Sequence, residues 1–370
     1  MKIIFVGGGT AGHINPALAI ACYLRERKPN IDILYIGAKN SMEEVLVPKE
    51  NFDIKTINIS GFYRKLDFNF IKKNLITLKN IIIASKESQK IIEDFKPDIC
   101  IGTGGYVCGP FLREAYKKKI KFILHEQNSY PGITTKLLSK KADIVMLSTH
   151  MAKNYLNKNV KSIVVGNPVR SNIGKIDSLT AKKELNFNND KPVILSFGGS
   201  LGSSAINNVM AEFILNNNKT KNYNLIHGYG KYGKWLESFV IKKELNKSNL
   251  ILKEYINNIS LYLSAADLVI CRAGAITLSE LKICKKPSIL IPSPNVAENH
   301  QYYNALEMNN SKISEMILEK DLAYEVLMKK VEYLLKNINK IRKNFEKLKI
   351  STSEEVNYKI YNIISDLLKH

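Results

Sequence analysis

The sequence is short of acid, of tryptophan and of paired cysteine, and it contains no long apolar run. Its 34 Asp and Glu stand against 55 Lys and Arg, a formal charge of +21 over 370 residues. Such a surplus suits an anionic partner: nucleic acid, an anionic membrane face or a phosphorylated substrate. No zinc-finger spacing, ribonucleoprotein motif or basic-region zipper appears, so nucleic acid is not an expected partner. Cys22, Cys100, Cys108, Cys271 and Cys284 are odd in number and include no Cys-x-x-Cys pair. That argues against a thiol metal site or a disulfide framework and for reduced, buried thiols. No run approaches the roughly 20 apolar residues of a membrane span. Ile3–Val6 is too short for a secretory leader and runs straight into the fold, so no signal peptide is expected.

What is present is an ordinary globular composition, 45% hydrophobic and 24% charged, long enough for two domains. The opening stretch organises the first. Ile3–Val6 is a β-branched and aromatic run fit for a strand buried on both faces. Gly7, Gly8 and Gly9 then allow a tight turn, and a small-residue helix follows, presenting its N–H groups to a ligand. Gly7-x-Gly9-x-x-Gly12 matches the dinucleotide fingerprint in letter. That fingerprint also needs an acid near the end of the second strand, to hold a ribose. Ile31–Gly37 ends in glycine instead, which argues against a NAD or FAD site.

Short apolar strands then alternate with helical patterns, the signature of a parallel α/β sheet. Strands are expected at 31–36, 52–59, 98–102, 121–125, 144–147 and 162–165, with a long helix over 71–93. The plan restarts at Pro192–Gly202, with further strands at 223–228, 250–254, 268–271 and 287–291. Everything beyond about Asn299 has a helical pattern, and 353–368 is amphipathic. The expected architecture is two doubly wound domains joined near Gly166–Arg170, with the ligand site in the cleft between them.

Several strand-end loops carry polar chemistry. Gly102–Pro110 is glycine-rich where open α/β sheets bind ligands. His125-Glu-Gln-Asn128 sets four polar side chains in a row, costly to bury unless they bind something or one another. His125 and Glu126 fit either a strut or a ligand contact, whereas Asn128 can donate and accept at once. His-Glu has no second histidine three residues on, which excludes a zincin site. Gly198-Gly-Ser-Leu-Gly202 forms an anion cradle of backbone N–H groups, the Ser200 hydroxyl and a helix dipole, and Arg170 can fork onto the same charge. Glu280, one turn into the helix after Cys271-Arg-Ala-Gly274, suits a ribose diol, and Gln301 suits sugar hydroxyls. Gly61–Lys73 mixes Phe62, Tyr63, Phe68 and Phe70 with Arg64, Lys65, Lys72 and Lys73. It fits a patch on anionic lipid or a loop whose apolar members enter the core.

Together these loops resemble the MurG-type N-acetylglucosaminyltransferases of bacterial peptidoglycan synthesis. The resemblance spans the chain, in order: Gly8–His13, Gly102–Pro110, His125–Asn128, Gly166–Arg170, Gly198–Ser200, Arg272–Glu280 and Gln301–Ala305. It implies an α/β GT-B fold: two Rossmann-like doubly wound domains facing each other across a cleft. Residues 1–166 would be the acceptor and membrane-facing domain, with a closing helix at about 352–370 packed back on it, and 167–351 the UDP-GlcNAc domain. It implies donor contacts from Thr10, Ala11, Gly12, Asn128, Arg170, Ser200, Ile256, Ala275, Ile276, Thr277, Leu278, Ser279, Glu280 and Gln301. It also implies an acceptor and diphosphate loop of Gly104, Gly105, Tyr106 and Glu126. Ala11 stands where many members have glycine, and His300 where some have a second glutamine.

The implied reaction is an inverting transfer of GlcNAc to the C4 hydroxyl of undecaprenyl-diphosphate-linked MurNAc-peptide (lipid I), giving lipid II. The implied place is the cytoplasmic face of the cell membrane, peripherally bound, with cell-wall synthesis proteins as further partners. His13 is the candidate general base, with a polar bridge to substrate phosphate as its alternative. No Asp-x-Asp pair occupies a cleft loop, so neither metal nor cofactor is expected. The rival readings are another GT-B enzyme making a glycolipid from a UDP-sugar, a nicotinamide oxidoreductase and a non-catalytic nucleotide-sugar sensor.

Overall fold

A computed structural model describes residues 1–59, 68–187 and 190–369, without the side chains of 68–79 and 297. The chain forms two compact units, Met1–Ser171 with Thr352–His370, and Asn172–Ser351. No described helix is long and apolar enough to cross a membrane.

The first unit is built on β1 (Lys2–Gly7), β2 (Asp32–Ala38), β3 (Asp53–Ile57), β4 (Ile99–Gly104), β5 (Lys121–Glu126), β6 (Ile144–Leu147) and β7 (Ser162–Val164). They form one parallel sheet in the order β3-β2-β1-β4-β5-β6-β7. Successive side chains of a strand point to opposite faces, and β1 shows the consequence. Ile3 and Phe5 join one buried cluster with Ile14, Leu24, Ile101 and Ile123, while Ile4 and Val6 join another with Ile36, Phe111 and Phe122. The first cluster also takes Val356, Ile360 and Ile364 from the C-terminal helix Ser353–Lys369, beside the first helix Ala11–Arg27. The long helix runs Phe68–Phe95, three residues longer at its start than its apolar pattern predicts.

The second unit holds β8 (Val193–Phe197), β9 (Asn224–Gly228), β10 (Leu250–Lys253), β11 (Leu268–Cys271), β12 (Ser288–Leu290) and β13 (Ser314–Met316), parallel in the order β10-β9-β8-β11-β12-β13. Strand β13 corrects the helical expectation beyond Asn299. It is three residues long, Ser-Glu-Met, and among the described strands it pairs with β12 alone, so neither length nor apolar pattern marks it. Val193, Ile194, Leu195, Val269 and Ile270 are fully buried, and Met210, Phe213 and Ile214 of the helix Ser204–Thr220 are buried as well. Cys100, Cys108 and Cys271 are free, buried thiols, and burial pushes Cys108 up to about 12.

Candidate active site

In the first sheet the strand order reverses between β1 and β4, which opens a crevice at their carboxyl ends. The loops carrying Thr10–His13, Gly104–Tyr106 and Glu126–Asn128 all leave strands at that edge. Thr10 sits at the N-cap of helix Ala11–Arg27 without a side-chain cap bond, and Thr10 and Gly12 are exposed.

The glycine turn before it is held from inside. Glu43 is fully buried and its Oε1 accepts from Gly9 N–H at 3.1 Å and Ala38 N–H at 3.4 Å, while Oε2 accepts from the Ser41 hydroxyl at 2.6 Å. A side chain on Gly8 would fall 1.9 Å from that carboxylate, so the position has room for glycine alone. The acid missing from the end of β2 therefore exists six residues beyond Gly37. It turns back onto the glycine turn rather than outward to a ribose. Tyr106 packs its ring against Gly9, and burial together with the Glu43 charge raises its phenol above the ordinary range.

His13 projects from the first turn of the helix into this edge. Its backbone carbonyl accepts the Thr103 hydroxyl at 2.8 Å, and its Nδ1 lies 3.1 Å from Thr103 O and 3.1 Å from Gln127 Oε1. Gly104 has φ +106, and a Cβ there would come within 2.7 Å of the imidazole, so only glycine leaves the ring its place. Of the two roles open to Glu126, the geometry is that of a strut. Its carboxylate accepts from Asn128 N and Nδ2 at 3.0 Å, Gly132 N at 2.9 Å and Thr135 Oγ1 at 2.6 Å. His125 is likewise internal, 1% exposed, and burial lowers its titration to about 4. Asn128 is buried in the same loop, its amide spent on Glu126.

The second unit repeats the plan at the β8/β11 reversal. Ser200 lies in the turn after β8, its carbonyl accepting from Lys231 N at 3.2 Å. Ser203 caps the following helix through Ile206 N. Ala275, Ile276, Thr277, Leu278, Ser279 and Glu280 form the first turns of helix Ala275–Ile283, whose N-cap Gly274 brings no side chain; Glu280 is nearly buried. Gln301 Oε1 accepts from Ser293 N at 2.9 Å, which ties its side chain to the Pro292–Asn299 loop. Ile256 packs over Gly228 at the end of β9. Arg170 falls in the first unit, exposed at the rim of a pocket with Asn15, Leu18, Cys22 and Asn357.

Sequence reasoning left Gln127, Thr103, Glu43 and Arg272 without roles. Arg272 ties three loops together: it donates to Ser203 Oγ at 2.6 Å and Ile291 O at 3.1 Å, and it pairs with Glu319. Its place at the end of β11, among small residues, was the available signal. Phe62, Tyr63, Arg64 and Lys65 of the basic-aromatic patch lie outside the described residues, as do the side chains of Phe68, Phe70, Lys72 and Lys73.

Residues 3–147 match the glycosyltransferase family 28 N-terminal domain and residues 193–360 the family's C-terminal domain. The chain belongs to glycosyltransferase family 28. Within the family it is 43% identical, over all of its length and 99% of the relative's, to the UDP-N-acetylglucosamine–N-acetylmuramyl-(pentapeptide) pyrophosphoryl-undecaprenol N-acetylglucosamine transferase of Acetivibrio thermocellus. The Acinetobacter baumannii MurG crystal structure covers 98% of this chain and 99% of its own at 24% identity, with a TM-score of 0.73. A Neisseria meningitidis UDP-GlcNAc 2-epimerase solved with UDP-GlcNAc covers all of both chains at 15% identity and TM-score 0.64. These structural likenesses establish the GT-B class of fold, and the full-length relative places this family 28 chain among the MurG-type enzymes.

Proposed function

We propose that this enzyme transfers GlcNAc from UDP-GlcNAc to the C4 hydroxyl of undecaprenyl-diphosphate-linked MurNAc-peptide, converting lipid I to lipid II. The observation that carries the reading is full-length identity of 43% to an enzyme so named, with both family domains present. In this reading the second unit takes the donor. Glu280 holds the ribose, Ile256 meets the uracil through its backbone, Ser200 and the Ala275–Ser279 helix start meet the diphosphate, and Gln301 faces the sugar. Thr10–Gly12, Asn128 and Arg170 complete that set from the first unit, whose Gly104–Tyr106 loop receives the acceptor. Positively charged helix starts aimed at the departing UDP stabilise the charge that develops as the C1–O bond breaks. His13 takes the proton of the attacking hydroxyl. The +21 charge supports attachment to the anionic cytoplasmic membrane face, with the 62–73 stretch as the proposed contact.

The test is label transfer from UDP-GlcNAc to lipid I, run beside a simple glycolipid acceptor. Label should enter lipid I and not the glycolipid. Transfer to the glycolipid alone would overturn the reading.

A further inference from the structure

Two atoms that can only accept meet His13 at one ring nitrogen. Thr103 O and Gln127 Oε1 each lie 3.1 Å from Nδ1. The amide orientation of Gln127 is settled independently, because its nitrogen donates to His125 O at 2.9 Å, a place where an amide oxygen would be repelled. The same nitrogen lies 3.1 Å from His125 Nδ1, which must therefore be the unprotonated nitrogen of that ring. His125 Nε2 lies 2.9 Å from Gly166 O, and so carries the proton and donates it. Each proton in the series Gly166–His125–Gln127–His13 is thus assigned by partners whose roles cannot be exchanged. Gln127 and His125 are 3% and 1% exposed, so water does not compete for these bonds. Burial keeps His125 neutral down to about pH 4, and the series holds through the neutral range.

We propose that Gln127 is a positioning residue for the transfer reaction, holding His13 in its Nδ1–H tautomer so that Nε2 carries the lone pair that accepts the proton. This rests on His13 being the base. In the step, the acceptor O–H bond breaks and its oxygen bonds to C1 of the sugar. The proton goes to Nε2, and the electron pair of the broken C1–O bond leaves with UDP. The ring becomes an imidazolium whose Nδ1–H still faces two carbonyl oxygens. Neither oxygen is basic enough to take that proton, so they stabilise the cation without relaying it, and solvent later removes the Nε2 proton.

The test is a long-range proton–nitrogen correlation spectrum of the full chain labelled with 15N-histidine, at a pH where His13 is neutral. Wild type should show a protonated Nδ1 and an unprotonated Nε2 for His13. Gln127→Met keeps the side-chain length without either amide end. It should shift His13 toward a tautomer mixture and lower kcat about tenfold to a hundredfold while KM for UDP-GlcNAc holds. A wild-type Nε2–H tautomer overturns the proposal without any variant, whatever Gln127→Met does to folding. So does a folded Gln127→Met with unchanged His13 signals and kcat. His13→Ala with wild-type kcat would instead remove the base reading beneath it, leaving the tautomer spectrum as a separate fact.

Discussion

Glu43 is fully buried, and three groups answer its carboxylate: Gly9 N–H, Ala38 N–H and the Ser41 hydroxyl. An internal anion thus occupies the inside of a turn whose sequence matches a phosphate-binding fingerprint. Replacing it by alanine strands those donors, and buried hydrogen bonds to a charged group are the costly ones to lose. Glu43→Ala should cost about 3 kcal/mol in urea unfolding; an unchanged midpoint would contradict this role. The contact was not legible beforehand because 34 residues separate the partners, and only the β1–β2 pairing brings them together. Gln127 was hidden for the same reason. Its residue type was visible in the His125–Asn128 run, but the proximity of its amide to His13 comes from the adjoining ends of β4 and β5.

Acid stability is also decided residue by residue. His125 and His227 are buried and titrate near 4 in the folded chain, desolvation being the main cause for both. His227 is enclosed between Ser196 Oγ at 2.6 Å and Asn207 Oδ1 at 3.1 Å. An unfolded histidine titrates near 6.5, so between those values the unfolded chain binds more protons. Stability therefore falls as pH drops through that window, by about 2 kcal/mol per histidine at pH 5. Urea unfolding at pH 7.5 and pH 5 checks this, and His227→Asn should remove about 2 kcal/mol of the difference.

At the scale of elements, the sheets were largely legible because their central strands, such as β1, β4, β8 and β11, are buried along most of their length and read as apolar runs. Strand β13 was not, since an edge strand of three residues needs no such run. The C-terminal helix shows which contacts matter. Tyr23 and Arg27 of the first helix reach Glu354 at 2.8 Å and 2.7 Å, but the ion pair is exposed on both sides. Ile360, by contrast, is fully buried against the first sheet's core. Ile360→Ala should cost about 2–5 kcal/mol in thermal or urea unfolding, whereas Glu354→Ala should cost about 1 kcal/mol or less. The reverse ranking would mean that the helix is held by its polar end rather than by its apolar face.

At the scale of the molecule, the repeated plan puts a glycine turn, a helix start and a loop of polar side chains at the carboxyl edge of each sheet. The two edges differ in chemistry. The first has an imidazole and a glycine turn already filled by a carboxylate; the second has a serine turn and a helix start whose N-cap is Gly274, with Glu280 one turn in. That difference in residue type, a histidine in the first glycine turn and a serine in the second, was readable from the sequence alone. The internal wiring that orients His13 was not. The proposed reaction is a single displacement in which the C4 hydroxyl, deprotonated by His13, attacks the sugar carbon directly. The most direct measurement is the anomeric configuration and linkage of the sugar transferred from UDP-GlcNAc to lipid I, read by proton NMR of the isolated product. The account predicts a β linkage to C4 of MurNAc and nothing else. An α linkage, or attachment at another hydroxyl, would contradict it.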